Sequence, residues 1–256
     1  MDRRGTLVIR EAQMKIFRLQ PRLQFERDMA DYLKRYFPFE AANADLERWV
    51  RTGLAKAGQF GLTTRRQNAL FLALTAILGA AFDEDPLIPW AAEIVSSPDG
   101  SAADRLSRVY DKGIEFLRAV GGPKCGWLVR AKLRVRRQDM TAAAAGMSRR
   151  SMAEKIRQVL AQMYPEKARQ GGDKAMKKLV GLAIGRARER GAETPAAALI
   201  HATHMFYLGA GFDQDACYPW AGNTLDDQNA GPVDRRYERM HQLSLEYLNR
   251  SFQFTG

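Results

Sequence analysis

Leu78-Gly79-Ala80-Ala81-Phe82-Asp83-Glu84-Asp85 recurs as Leu208-Gly209-Ala210-Gly211-Phe212-Asp213-Gln214-Asp215, and Pro89-Trp90-Ala91 recurs as Pro219-Trp220-Ala221, always 130 residues later. The same offset holds upstream without a gap through Thr64/Thr194, Gly61/Gly191, Ala57/Ala187 and Val50/Val180, and downstream to Asp104-Arg105 and Asp234-Arg235. Agreement at one fixed spacing over so long a stretch marks an internal duplication. Farther upstream the spacing shortens: Phe37-Pro38 matches Tyr164-Pro165, Phe25 matches Met152, and Ile9 to Met14 match Val135 to Met140, with small insertions between Pro38 and Leu46. The expected organisation is two homologous units at 8–120 and 134–256, joined by a basic linker at 121–133 that Gly121-Gly122-Pro123 opens. The period exceeds the roughly 20–50 residues of solenoid repeats, so each copy is expected to be a helical bundle with its own core.

The units read as helical throughout. Phe25, Met29, Tyr32, Leu33 and Tyr36 keep spacings of three and four before Pro38, and Met152, Ile156, Val159, Leu160 and Met163 keep the same face before Pro165. A second helix is expected over 45–60, closed by Gly61, with its counterpart over 173–190 closed by Gly191. Thr64 and Thr194 stand where N-caps would open a third, strongly apolar helix at 67–78 and 196–208. A last helix follows Ser101, with Leu106, Val109, Tyr110, Ile114 and Leu117 on one face, and its counterpart covers 233–252. No alternating run bounded by turns appears, so the predicted fold class is all-α: two tandem homologous helical bundles.

The 256 residues are 46% hydrophobic and 27% charged, ordinary for a globular chain, and the two cysteines, Cys125 and Cys217, are too few for a disulfide scaffold. The longest apolar run, 69–82, ends at Asp83-Glu84-Asp85, short of the roughly 20 residues of a bilayer span, so no membrane partner is expected. The opening shows no charged leader followed by an apolar stretch and a cleavage site, which makes the cytoplasm the expected compartment.

Net charge is +11, and its distribution is uneven. Residues 124–190 carry 18 basic and 5 acidic side chains, while residues 191–256 carry 4 and 8. Such a stripe attracts an acidic protein surface or a polyanion. Arg130, Lys132, Arg134, Arg136, Arg137, Arg149 and Arg150 are therefore the expected partner-binding residues. A nucleic-acid partner is the alternative, although no helix-turn-helix, zinc-finger or aromatic RNA-binding signature accompanies the charge.

Candidate chemistry is sparse. His201 and His204 form H-x-x-H on the apolar helix of the second copy, whereas zinc hydrolysis wants histidines at i and i+4 with an intervening glutamate. Their counterparts are Phe71 and Leu74, so packing is the better reading, and His241 has no evident partner. The twice-used Phe-Asp-x-Asp lacks the further oxygen ligands of a calcium loop. Gly79, Phe82, Asp83, Asp85 and Trp90, with Gly209, Phe212, Asp213, Asp215 and Trp220, are instead expected to be structural: the glycine ends a helix, the phenylalanine fills the core and an aspartate caps a turn. No catalytic residue, metal site or cofactor is expected, and the chain reads as a non-enzyme.

Ile9-Arg10-Glu11-Ala12-Gln13-Met14, the helix ending at Phe37-Pro38, then Gly53, Gly61 and the element from Gly79 to Trp90 resemble a group of helical proteins encoded among bacterial type VI secretion effector and spike genes. Their single domain is about 120 residues, so this chain resembles two fused, the second departing at Val135, Asp139 and Ala183. The resemblance implies a cytoplasmic adaptor or chaperone that holds a secreted effector or couples it to the spike protein. An immunity protein neutralising a cognate toxin is the alternative. It transfers no catalytic residue.

Overall fold

The computed structural model describes residues 11–254, so Ile9 and Arg10 of the opening motif lie outside the described residues. Among the described residues there are thirteen α-helices and no strand. In the first half these are α1 (Glu11–Tyr36), α2 (Pro38–Asn43), α3 (Leu46–Gln59), α4 (Arg65–Leu78), α5 (Pro89–Val95) and α6 (Ala102–Gly121). A 3-10 turn (Pro123–Cys125) leads to α7 (Gly126–Arg137), α8 (Met140–Ala144) and α9 (Met152–Met163). There follow α10 (Pro165–Glu189), α11 (Pro195–Leu208), α12 (Pro219–Asp226) and α13 (Val233–Phe254).

Local chemistry sets the helix ends. Asp45 caps α3 by accepting from the Arg48 amide at 3.1 Å, and Thr64 forms a reciprocal capping box with Gln67 on α4. Ser101 does the same with Asp104 on α6. In the second half Thr194 caps α11 and is itself braced by Asp234, whose Oδ1 accepts from the threonine amide and hydroxyl. Pro38 and Pro165 each stand at the first position of a new helix, where the missing N–H costs nothing. α10 bends sharply at Gly172, which adopts φ +77, so its part after the bend is the counterpart of α3.

α4 and α11 keep the 130-residue offset at both their last residues, and α5 and α12 begin 130 apart. The expectation of a separate core in each copy needs correction. One continuous core runs from Ala57, Phe71 and Phe82 through Ala131 and Ile156 to Phe212, Tyr237 and Leu248. A smaller cluster also draws on both halves, joining Met29, Leu33, Trp49 and Leu72 to Ala216 and Cys217. The link is visible in α6, which packs on α10 of the second half as well as on α4 and α5 of its own. α11, where every residue from Ala197 to Phe206 is buried, is enclosed by helices of the second half. The segment 121–133, read as a basic linker, is a short turn followed by the body of α7, and its Ala131 is fully buried.

Candidate functional site

The duplicated motif lies where the two halves meet. Gly79 ends α4 with φ +94 and ψ 153, and Gly209 ends α11 with φ +112 and ψ 158, a region open only to glycine. A Cβ on Gly79 would stand 3.2 Å from the Leu208 carbonyl oxygen, and one on Gly209 would stand 3.3 Å from that of Leu78. The two helix ends therefore touch backbone to backbone. Each half then makes the same turn: the Phe82 amide donates to Gly79 and the Phe212 amide to Gly209, both at 3.2 Å.

The second aspartate of each motif crosses to the other half. Asp215 accepts from its own Cys217 amide and from the Ala80 amide of the first half, each at 2.9 Å. Asp85 accepts from the Leu87 amide at 2.9 Å and also from the Ala210 amide of the second half. Burial pushes both carboxyls above the usual range, and these amides oppose the shift. The first aspartates stay within their own halves. Lys56 pairs with Asp83 and donates to the Ala80 carbonyl at 3.2 Å. Its counterpart Arg186 donates to the Ala210 carbonyl, while Arg190 pairs with Asp213 at 2.8 Å and also with Asp226.

Two departures between the copies become intelligible here. A Cβ on Gly211 would lie 2.6 Å from that of Ala81, its counterpart across the junction, so one member of the pair must lack it. A Cβ on Gly53 would lie 2.5 Å from Leu72 Cδ2, whereas the second half places Ala183 where Leu72 is replaced by Ala202. The smaller Ala202 leaves room for the Ala183 methyl group that Leu72 would exclude.

Phe82 packs on Phe71 at 5.6 Å between ring centroids, and Phe212 packs on His201, the residue equivalent to Phe71, at 5.2 Å. His201 Nδ1 hydrogen-bonds the Tyr237 hydroxyl at 3.0 Å, and His204 Nδ1 donates to the Ile200 carbonyl at 2.7 Å. His241, on α13, stacks edge-on with His204 at 5.5 Å, a contact no sequence spacing reveals. Burial drives His201 down to about 4, His204 to about 3 and His241 to about 4. All three are neutral at pH 7 and act as aromatic packing. Trp220 joins them at 6.3 Å from His204, while Trp90 is half-buried. Among the described residues no group of three or more His, Cys, Asp or Glu is placed to hold a metal ion.

The basic stripe divides into two kinds of residue. Lys132 belongs inside: it is half-buried, donates to the Ser251 hydroxyl at 3.2 Å and lies over the Phe252 ring, and burial lowers its pKa. Its stem runs between α7 and α13, which sets it apart from the exposed arginines of the stripe. Arg157 bridges Glu154 and Asp173, and Lys155 donates to the Gly146 carbonyl at 2.9 Å. Arg134 is exposed yet reaches the Met163 carbonyl at 3.4 Å. Arg130, Arg136 and Arg137 on α7, with Arg149 and Arg150 in the turn before α9, are exposed and make no ion pair or hydrogen bond among the described residues. α7 and α9 pack together, so these five arginines ride on adjoining elements.

Behind the glycine junction lies a cavity of about 310 Å³ shared by both halves, which sequence reasoning did not foresee. Its only legible trace is Lys167, an unmatched cation beside the Pro165 helix start. No protein-family model matches this chain, nor does any curated protein or solved structure.

Proposed function

We propose that the chain is a non-enzymatic binding protein built from a duplicated helical unit, and that it docks an acidic protein surface on the arginine face of α7 and the turn before α9. The observation that carries this reading is the five exposed arginines that make no ion pair or hydrogen bond among the described residues, placed on α7 and on the turn leading into α9, the helix packed against α7. Five unneutralised guanidinium groups on adjoining elements repel one another, and an acidic partner relieves that repulsion while steering encounter. The duplication is supported by the matched glycine caps, the matched turns and the reciprocal aspartates. A cytoplasmic adaptor for a type VI secretion effector or spike protein is the role that fits the sequence resemblance. Neutralising a toxin by covering it is the other use of such a face.

The test is capture of the native partner, identified by mass, with wild type and with a charge-reversed R130E/R136E/R137E variant. Loss of capture in the variant supports the assignment, and unchanged capture removes it. Mixing with a captured toxin then separates the roles, because an immunity protein abolishes toxicity while an adaptor leaves it. Tight binding of random duplex DNA that collapses steeply with salt would transfer the face to nucleic acid.

A further inference from the structure

We propose that the cavity between the two halves is a binding site for a small amphipathic monocarboxylate, its head held by the Lys167 ammonium and its tail by the apolar walls. The inference is independent of the arginine face. The cavity, about 310 Å³, falls at the lower end of the range of small-molecule sites, roughly 300–1,000 Å³. Its walls come from both halves, with Ile77, Phe116 and Val120 facing Leu128 and Leu208. Cys125, which is exposed, stands at its rim.

Lys167 supplies the unmet demand. Its ammonium carries three donors, yet among the described residues it makes no hydrogen bond and no ion pair, and it lies over the Phe206 ring at 5.7 Å. Burial lowers its pKa and the charge of Asp85 opposes this. Asp85 supplies that opposite charge, but no salt bridge joins the two among the described residues, and that carboxylate accepts from the Leu87 and Ala210 amides. A second polar group has no partner either: the hydroxyl of Tyr207, which lines the same cavity, is buried without a hydrogen bond. Tyr164, also in the lining, already donates to the Val120 carbonyl at 2.8 Å.

A partly buried ammonium without an acceptor is costly, and a carboxylate supplies two acceptor oxygens to it. The hydrocarbon walls favour an apolar body behind that head. Asp85 selects against a second negative charge, so inorganic phosphate and dicarboxylates fit poorly, and Lys167 selects against amines. The junction explains the location: two helix ends that touch through their glycines leave space beside the contact, lined by residues of both halves.

Calorimetric titration of the full chain with octanoate, 1-octanol, octylamine and inorganic phosphate tests this. Octanoate is expected to bind saturably, one per chain, at least tenfold tighter than 1-octanol, with no binding of octylamine or phosphate. K167M should bring octanoate and 1-octanol within about twofold, K167R should keep the preference, and L128W should weaken both by narrowing the wall. Octanoate should also slow alkylation of Cys125 several-fold, a readout that Cys217 does not confuse because it is buried. Should K167M not fold, L128W and the Cys125 protection still decide the matter. Equal affinity for octanoate and 1-octanol, a carboxylate preference that survives K167M, tight phosphate binding, or an unaltered alkylation rate would each overturn the proposal.

Discussion

α4 and α11 carry the same sequence pattern 130 residues apart, yet α4 buries six of its residues while α11 buries ten in succession. α4 packs on α1, α3 and α6, whereas α11 is enclosed by α8, α9, α10 and α13. The difference shows how one helical unit takes two burial environments and how its polar content follows. Where the first copy has Phe71 and Leu74, the enclosed helix carries His201 and His204, which stay neutral and find Tyr237, Phe212 and His241 as neighbours. At the junction the two copies behave alike, because each contributes one glycine cap and one crossing aspartate.

The largest expected consequence of that difference is an acid sensitivity that originates in the second half's histidines. The three imidazoles titrate near 6.5 when unfolded and at about 4, 3 and 4 when folded, so unfolding takes up protons between about pH 6.5 and 4. Their stabilisation is complete above the unfolded value and is lost as pH falls through that window. Asp85 and Asp215, raised by burial, act in the opposite sense and soften the slope. Urea unfolding at a series of pH values should give a slope of about 2–4 kcal/mol per pH unit near pH 5. H201F/H204L, which installs the first copy's residues, should flatten the slope by more than half, and an unchanged slope would break the comparison.

Next in size are the paired glycines. G79A and G209A each add a Cβ against a carbonyl in a backbone region closed to alanine, and each is expected to cost about 3 kcal/mol or more in chemical denaturation. Similar costs at the two sites support equivalent junction roles, and a large loss at only one separates them. A sharper test uses Ala81 and Gly211. G211A should destabilise by about 1–3 kcal/mol through overpacking, and adding A81G should restore most of it, since the pair tolerates one methyl group in either half. The smallest effect belongs to R130E/R136E/R137E. Its stability is expected within about 0.5 kcal/mol of wild type at moderate salt, because these exposed side chains have no partner to lose.

Much of the helical framework was legible in the residues. Thr64, Ser101 and Thr194 mark helix starts, and Gly61, Gly79, Gly191 and Gly209 mark ends, because caps act within one turn of backbone. The structural reading of Phe82, Phe212, Asp85 and Asp215 was also available from the repeat, although their direction was not. Nothing local tells Asp215 to reach Ala80 rather than a neighbour in its own half. The arginine face was only half visible, since Lys132 and Arg136 are alike in sequence but one lies against Phe252 and the other in solvent. The cavity was hidden altogether, because its walls are contributed by residues far apart in the chain.

The sequence by itself determined that the chain is helical, where most helices begin and end, and that a pattern recurs after 130 residues. Those properties rest on periodicity and capping, which act over a few residues. Only the tertiary structure decided that the two halves share one core, exchange aspartates and enclose a cavity with an unpartnered lysine. Such features depend on which surfaces meet, and apolar burial, being non-directional, leaves that choice to the packing of the whole.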